Sequence, residues 1–144
     1  MASLTLTDGT ATLAEGTDKV LVLGALSINL DAATLDLQNN GLIVNYSGTS
    51  PLATLTGYIA SAYTTVGATH WQGTGLTSSW AAYDPAGATG LGIIENHQGG
   101  SNAYSTFLGE SVGSSSILIR YTHDGDANLD GKVDGGEIAL TSTE

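Results

Sequence analysis

The sequence predicts an all-β domain, and three observations carry that expectation. Short apolar or alternating runs recur throughout the chain, separated by Gly, Asp and Asn. Charged residues are only 12% while hydrophobic ones are 41%, so solubility falls to Thr, Ser, Asn and Gly, as in secreted β-proteins rather than helical enzymes rich in Lys and Glu. The chain also closes on an acidic, Gly-containing metal-type loop instead of a helix. The expected body is a mostly antiparallel β-sandwich or jelly roll, with solenoid-like N-terminal strands and one or two short helices. At 144 residues it is one domain's worth of core. The texture divides it into repeat-like strands at 1–46, a sandwich body with short helices at 47–123, and an acidic loop and tail at 124–144.

In order, Leu4-Thr5-Leu6 and Thr10 to Leu13 alternate, and Val20 to Leu23 is a continuous apolar run. Shifting the chain by 22 residues places Leu4 on Leu26, Leu6 on Ile28, Thr12-Leu13 on Thr34-Leu35, and Val20-Leu21-Val22 on Leu42-Ile43-Val44. A period near 20 residues is that of one β-solenoid coil, which buries its apolar side on the next. Two ordinary β-meanders of similar length satisfy the same pattern. After Ser50-Pro51, Leu52, Leu55, Ile59 and Tyr63 fall at helical spacing and predict a short amphipathic helix. A second short helix is expected near Ser78 to Tyr83, stopped by Asp84-Pro85. Leu91 to Glu95 and Ala103 to Leu108 read as strands with Gly99-Gly100-Ser101-Asn102 turning between them, and Ser116 to Tyr121 is the clearest strand of the C-terminal half.

That last strand runs directly into Asp126-Ala127-Asn128-Leu129-Asp130-Gly131-Lys132-Val133-Asp134-Gly135-Gly136-Glu137, which matches every position of the twelve-residue EF-hand-type loop. Asp126, Asn128 and Asp130 supply oxygens at positions 1, 3 and 5, Gly131 takes the sharp turn, and Lys132 offers its carbonyl. Asp134 ligates directly or through water, and Glu137 closes the site with both carboxylate oxygens. Such an all-oxygen shell suits Ca²⁺. Val133 is expected to point away from the ion into an apolar layer.

Gly125 to Asp134 resembles the first calcium repeat of a type I dockerin. The second repeat and its helical face have no counterpart, so the resemblance does not extend to cohesin binding. Asn40 to Thr54, Gly73-Thr74-Gly75-Leu76-Thr77-Ser78-Ser79 and Ile117 to Thr122 are similar to the signature of C-terminal modules in planctomycete-type bacterial surface proteins. That likeness implies an extracellular β-rich module.

Composition bounds the function further. A net charge of −11 opposes nucleic acid and anionic membrane surfaces. No apolar run approaches the ~20 residues of a membrane-spanning helix. Met1-Ala2-Ser3 does not open a signal peptide. Without cysteine there are no disulfides, and calcium is the available staple; a single loop of the weak extracellular class fills only outside the cell.

Gly109-Glu110-Ser111-Val112-Gly113 fits the nucleophile-elbow pattern but lacks the alternating βα context of a hydrolase, so no catalytic residue is assigned. His70, His97 and His123 have no metal or catalytic spacing and are expected to be structural or surface residues, with His123 near the loop. Trp71, Trp80, Tyr58, Tyr63 and Tyr83 cluster in sequence and are expected in the core, since Phe107 is the only phenylalanine; the alternative is a set of sugar-stacking platforms. Asn45-Tyr46-Ser47 satisfies the N-glycosylation sequon. The leading expectation is a non-enzymatic extracellular structural subunit at the cell surface. It is calcium-stabilised and self-assembles into a layer or filament through Leu4 and Leu6. The alternative is a carbohydrate-binding or anchoring module of a larger secreted protein, with glycans as partner.

Overall fold

The computed structural model describes residues 1–16, 19–64 and 69–134. It is all-β, with two helices. Six strands come first: β1 (Ser3–Leu6), β2 (Gly9–Thr12), β3 (Val20–Leu23), β4 (Ala25–Ile28), β5 (Ala33–Asp36) and β6 (Gly41–Asn45). Helix α1 (Leu52–Tyr63), strand β7 (Gly75–Thr77) and the short helix α2 (Ser79–Ala82) follow, and then β8 (Thr89–Glu95). Four two-residue strands, β9 (His97–Gln98), β10 (Ser101–Asn102), β11 (Thr106–Phe107) and β12 (Glu110–Ser111), precede the long β13 (Ser116–His123).

The first six strands pair in parallel across one repeat. Ser3 of β1 meets Ala25 of β4, 22 positions on. Gly9 of β2 meets Ala33 of β5, 24 positions on. Val20 of β3 meets Gly41 of β6, 21 positions on. The 22-residue alignment therefore holds at Leu4 with Leu26 and Leu6 with Ile28, and slips at the later strands, where Thr10 rather than Thr12 faces Thr34 and Leu21 rather than Val20 faces Leu42. Unequal corners cause the slip. Four residues (29–32) join β4 to β5 where two (7–8) join β1 to β2, and four (37–40) join β5 to β6 where seven (13–19) join β2 to β3.

Among the described residues half of the pairings are parallel, more than a mostly antiparallel body predicts: β1 with β4, β2 with β5, β3 with β6, and β5 with β7. Antiparallel pairing always involves a strand of the C-terminal half: β13 lies between β6 and β8, and the short strands form two hairpins. The resulting order β3-β6-β13-β8 makes a four-stranded sheet, beside the three-stranded β2-β5-β7.

The four-stranded sheet is buried on both faces, which explains the unbroken apolar runs of its strands. Leu21, Leu23, Leu42, Val44, Ile117 and Ile119 join the larger core with Leu35 and Leu76 of the three-stranded sheet and Leu55 and Ile59 of α1. The intervening residues Val20, Val22, Ile43, Leu118 and Ile94 turn to the other face and meet Phe107 and Leu129. Because β6 packs in both cores and pairs with β13, the textural boundary at residue 46 does not divide the packing.

Both helices lie where the sequence places them. Pro51 is the N-cap of α1, and the Ser78 hydroxyl accepts a hydrogen bond from Ala81 N at 3.1 Å to cap α2. The strand expected over Ala103 to Leu108 is instead cut to Thr106–Phe107, because Leu108 (φ 50) and Gly109 (φ 85) form the tight turn of a hairpin to Glu110–Ser111. Gly99 (φ 59) and Gly100 (φ 87) make the same turn between His97–Gln98 and Ser101–Asn102. The fully buried Asn96 holds the two hairpins together: its amide nitrogen donates to Tyr104 O and Gly113 O at 2.9 Å, and its amide oxygen accepts from Tyr104 N at 2.9 Å.

Candidate metal centre

The EF-hand-type loop begins three residues after β13 ends, and its described part is Asp126 to Asp134. Asp126 is 5% exposed, unusual for a carboxylate unless its oxygens are satisfied. Oδ1 accepts from Asp130 N at 3.2 Å and Oδ2 from Gly131 N at 2.9 Å, while Thr122 on β13 donates its hydroxyl to Oδ2. Asp130 N is shared with Asn128 Oδ1 at 3.0 Å, which sets the position-1 and position-3 oxygens side by side. Asp130 Oδ1 in turn accepts from Lys132 N at 2.9 Å. These side-chain-to-backbone bonds wind the loop about its own acidic residues, with Gly131 (φ 90) at the sharp turn.

Among the described residues no three His, Asp or Glu side chains form a metal site by themselves. The set assigned from sequence also draws on Asn128 and the Lys132 carbonyl, and on Glu137, which lies outside the described residues. The donors are all oxygen, as a hard cation such as Ca²⁺ requires, and Asp126 Oδ1 and Asp130 Oδ1, each accepting one hydrogen bond, keep a lone pair for it, whereas Asp126 Oδ2 already accepts two.

Val133 does not enter an apolar layer; it is 55% exposed. The buried residue is Leu129, 2% exposed, which sits in the second core with Ile43, Phe107 and Leu118. Its backbone adopts φ 61, a conformation uncommon outside glycine, and this turns the side chain inward while its neighbours stay with the acidic cluster. Gly92 on β8 makes the seat, since a Cβ there would collide with Leu129 Cδ2. Two struts fix the loop from outside: the Tyr104 hydroxyl donates to Asn128 O at 2.6 Å, and Arg120 Nη1 donates to Leu129 O at 3.3 Å. Leu129, Thr122, Tyr104 and Arg120 are absent from the sequence-derived site. The one signal for Leu129 was that it is the largest apolar residue of the loop, ahead of Val133 and Ala127.

Elsewhere, Leu4 and Leu6 lie half-buried on β1. Asn45 ends β6, half-buried, with its amide oxygen accepting from Ser116 Oγ at 2.5 Å and its amide nitrogen 3.6 Å from Met1 Sδ. Ser111 sits in an exposed hairpin strand and not at a strand-to-helix turn. His70 stacks on Tyr63 with ring centroids 4.3 Å apart, His97 Nδ1 lies 3.0 Å from Asn102 Oδ1, and His123 is exposed, its carbonyl accepting from Asp126 N at 3.1 Å. Of the five aromatics expected in the core, Trp71 is buried and Tyr58 half-buried, whereas Trp80, Tyr63 and Tyr83 are exposed. The core volume they were assigned is filled by aliphatic side chains of both sheets. Comparison with protein-family models, curated proteins and solved structures gives no match.

Proposed function

We propose that the chain is a non-enzymatic extracellular structural subunit, stabilised by Ca²⁺ in the loop Asp126–Glu137 and joined to copies of itself through its first three strands. The observation that carries this reading is an open end of the parallel stack. Among the described residues, strands β1, β2 and β3 each end their sheets, and each has a strand partner on one side only. Burial falls off toward that end: β6 residues Gly41 to Val44 are buried, while Val20 to Val22 of the neighbouring β3 are half-buried. A further coil laid on β3 would do for it what β3 does for β6.

Helix α1 occupies the opposite end. The Tyr58 hydroxyl accepts from Ile28 N at 3.2 Å, and the Tyr58 carbonyl lies against Gly75 so closely that a Cβ would clash. The two ends therefore differ, and an open strand end that joins a different surface of the next copy makes a head-to-tail contact, which propagates when it does not close into a ring. Repulsion at −11 per subunit opposes assembly, and each bound Ca²⁺ offsets two charges, so calcium promotes assembly beyond its effect on folding.

Sedimentation of the parent, a variant lacking residues 1–8, and Leu6→Lys tests this in saturating calcium. Large species from the parent and folded monomers from both variants are expected. A parent that stays monomeric at high concentration contradicts the reading. A second reading, a carbohydrate-binding module of a larger secreted protein, is supported by the surface placement of Trp80, Tyr63 and Tyr83.

A further inference from the structure

Trp80 and Tyr83 flank an open trough of about 560 Å³, a volume within the range of small-molecule sites. Tyr121 of β13 stands at its floor, its ring edge-on to Trp80 with centroids 6.0 Å apart. Trp80 is 42% exposed and Tyr83 78%, although neither is needed by the core and both expose large apolar faces to water. Polar groups rim these faces. The Gln38 side chain accepts from Ser79 Oγ at 2.7 Å through Oε1, and its amide nitrogen has no partner among the described residues; nor has the Tyr121 hydroxyl. Glu15 presents a carboxylate at the other rim. Asp84 is already committed, its oxygens accepting from Ala86 N, Ala88 N and Thr89 Oγ1 at 2.9–3.0 Å, which fixes the turn that carries Tyr83.

We propose that this trough binds a neutral, linear oligosaccharide, with Trp80 and Tyr83 stacking on sugar rings and Gln38, Tyr121 and Glu15 meeting the hydroxyls. A pyranose has an apolar C–H face and a rim of donors and acceptors, which matches aromatic platforms bordered by single polar groups. The trough also continues past Trp80 and Tyr121 into a second cleft of about 320 Å³ that reaches Gly131 of the acidic loop, so its shape is elongated. A compact cation gains most from aromatic faces that enclose and desolvate it, and this site is open. Anionic polymers meet the Glu15 and Asp84 carboxylates and a net charge of −11.

Two tryptophans make the test direct, because Trp71 is buried and Trp80 reports on the trough. Cellohexaose, xylohexaose and mannohexaose are titrated separately against the full chain in calcium, with binding heat followed for every variant and tryptophan emission for those that keep Trp80, and with tetramethylammonium and polygalacturonate as competing chemistries. Saturable binding of at least one neutral hexasaccharide is expected, weakened roughly tenfold or more in both Trp80→Ala and Tyr83→Ala. Melting temperatures identify any variant that fails to fold, and Tyr83, the more exposed of the two, supplies the readout if Trp80→Ala does. The proposal is overturned if no neutral sugar binds, if tetramethylammonium or polygalacturonate binds more tightly, or if the folded variants bind as the parent does. Because sugar binding is read on the single chain, binding by a protein that stays monomeric overturns assembly and leaves this site intact.

Discussion

Truncating Leu129 would leave a cavity against Ile43, Phe107 and Leu118 and release the middle of the metal loop from the sheet beneath it. Leu129→Ala is expected to destabilise the fold by about 2–5 kcal/mol and to weaken calcium binding as well, since the loop loses its anchor. Val133→Ala, at an exposed position, is expected to stay within about 0.5 kcal/mol of the parent. Thermal melts with and without calcium distinguish the two, and equal behaviour would contradict the anchoring role. The spacing of Asp126, Asn128 and Asp130 was legible in sequence because the EF-hand pattern fixes residue type at each position, and their role as metal ligands belongs to the proposal. Which apolar loop residue turns inward was not legible. It depends on a left-handed backbone at Leu129 and a seat at Gly92, far away in the chain.

At the scale of elements, the start of α1 is tied to the four-stranded sheet by Tyr46, Ser50 and Glu95. The Tyr46 hydroxyl donates to Glu95 Oε1 at 2.6 Å. Hydrogen bonds from Ser50 and then Tyr46 hold the Glu95 carboxyl below its ordinary range, and the bond to Glu95, with some burial, raises Tyr46. A lowered carboxyl contributes stability that is present above its unfolded value of about 4.3 and lost as pH falls through the folded one; a raised tyrosine contributes below about 10 and loses it as pH rises. Glu95→Gln should therefore flatten the acid limb of the stability profile, by a small amount because the group is close to solvent. An acid limb unchanged in that variant would contradict the tie. Helices α1 and α2 were legible through local signals, Ser50-Pro51 and the Ser78 cap. The 103–108 strand was misread because one left-handed leucine, Leu108, converts an apolar run into a hairpin turn. Trp71 and Tyr58 join the core as expected, whereas Trp80, Tyr63 and Tyr83 were misassigned because composition cannot show that two aliphatic sheets already fill it.

At the scale of the whole molecule, calcium is expected to raise the melting temperature, by linkage about 1.4 kcal/mol at tenfold excess over Kd, and Asp126→Ala to remove the gain. A melt indifferent to EGTA would remove the calcium assignment. The all-β class and the β1 to β4 register were legible because apolar periodicity repeats at 22 positions there. The registers of β2 with β5 and β3 with β6 were not, since unequal corner lengths set them; among the described residues the parallel stack they build has one open end. That open end is the basis of the assembly proposal, and amide hydrogen exchange of Ser3–Leu6, Gly9–Thr12 and Val20–Leu23 tests it most directly. In dilute monomer, the outward amides of these strands have no strand partner among the described residues and should exchange quickly; in calcium-loaded assemblies they should become protected, while Leu6→Lys keeps the monomer pattern. Assemblies in which all three strands still exchange as in the monomer would contradict joining through this end.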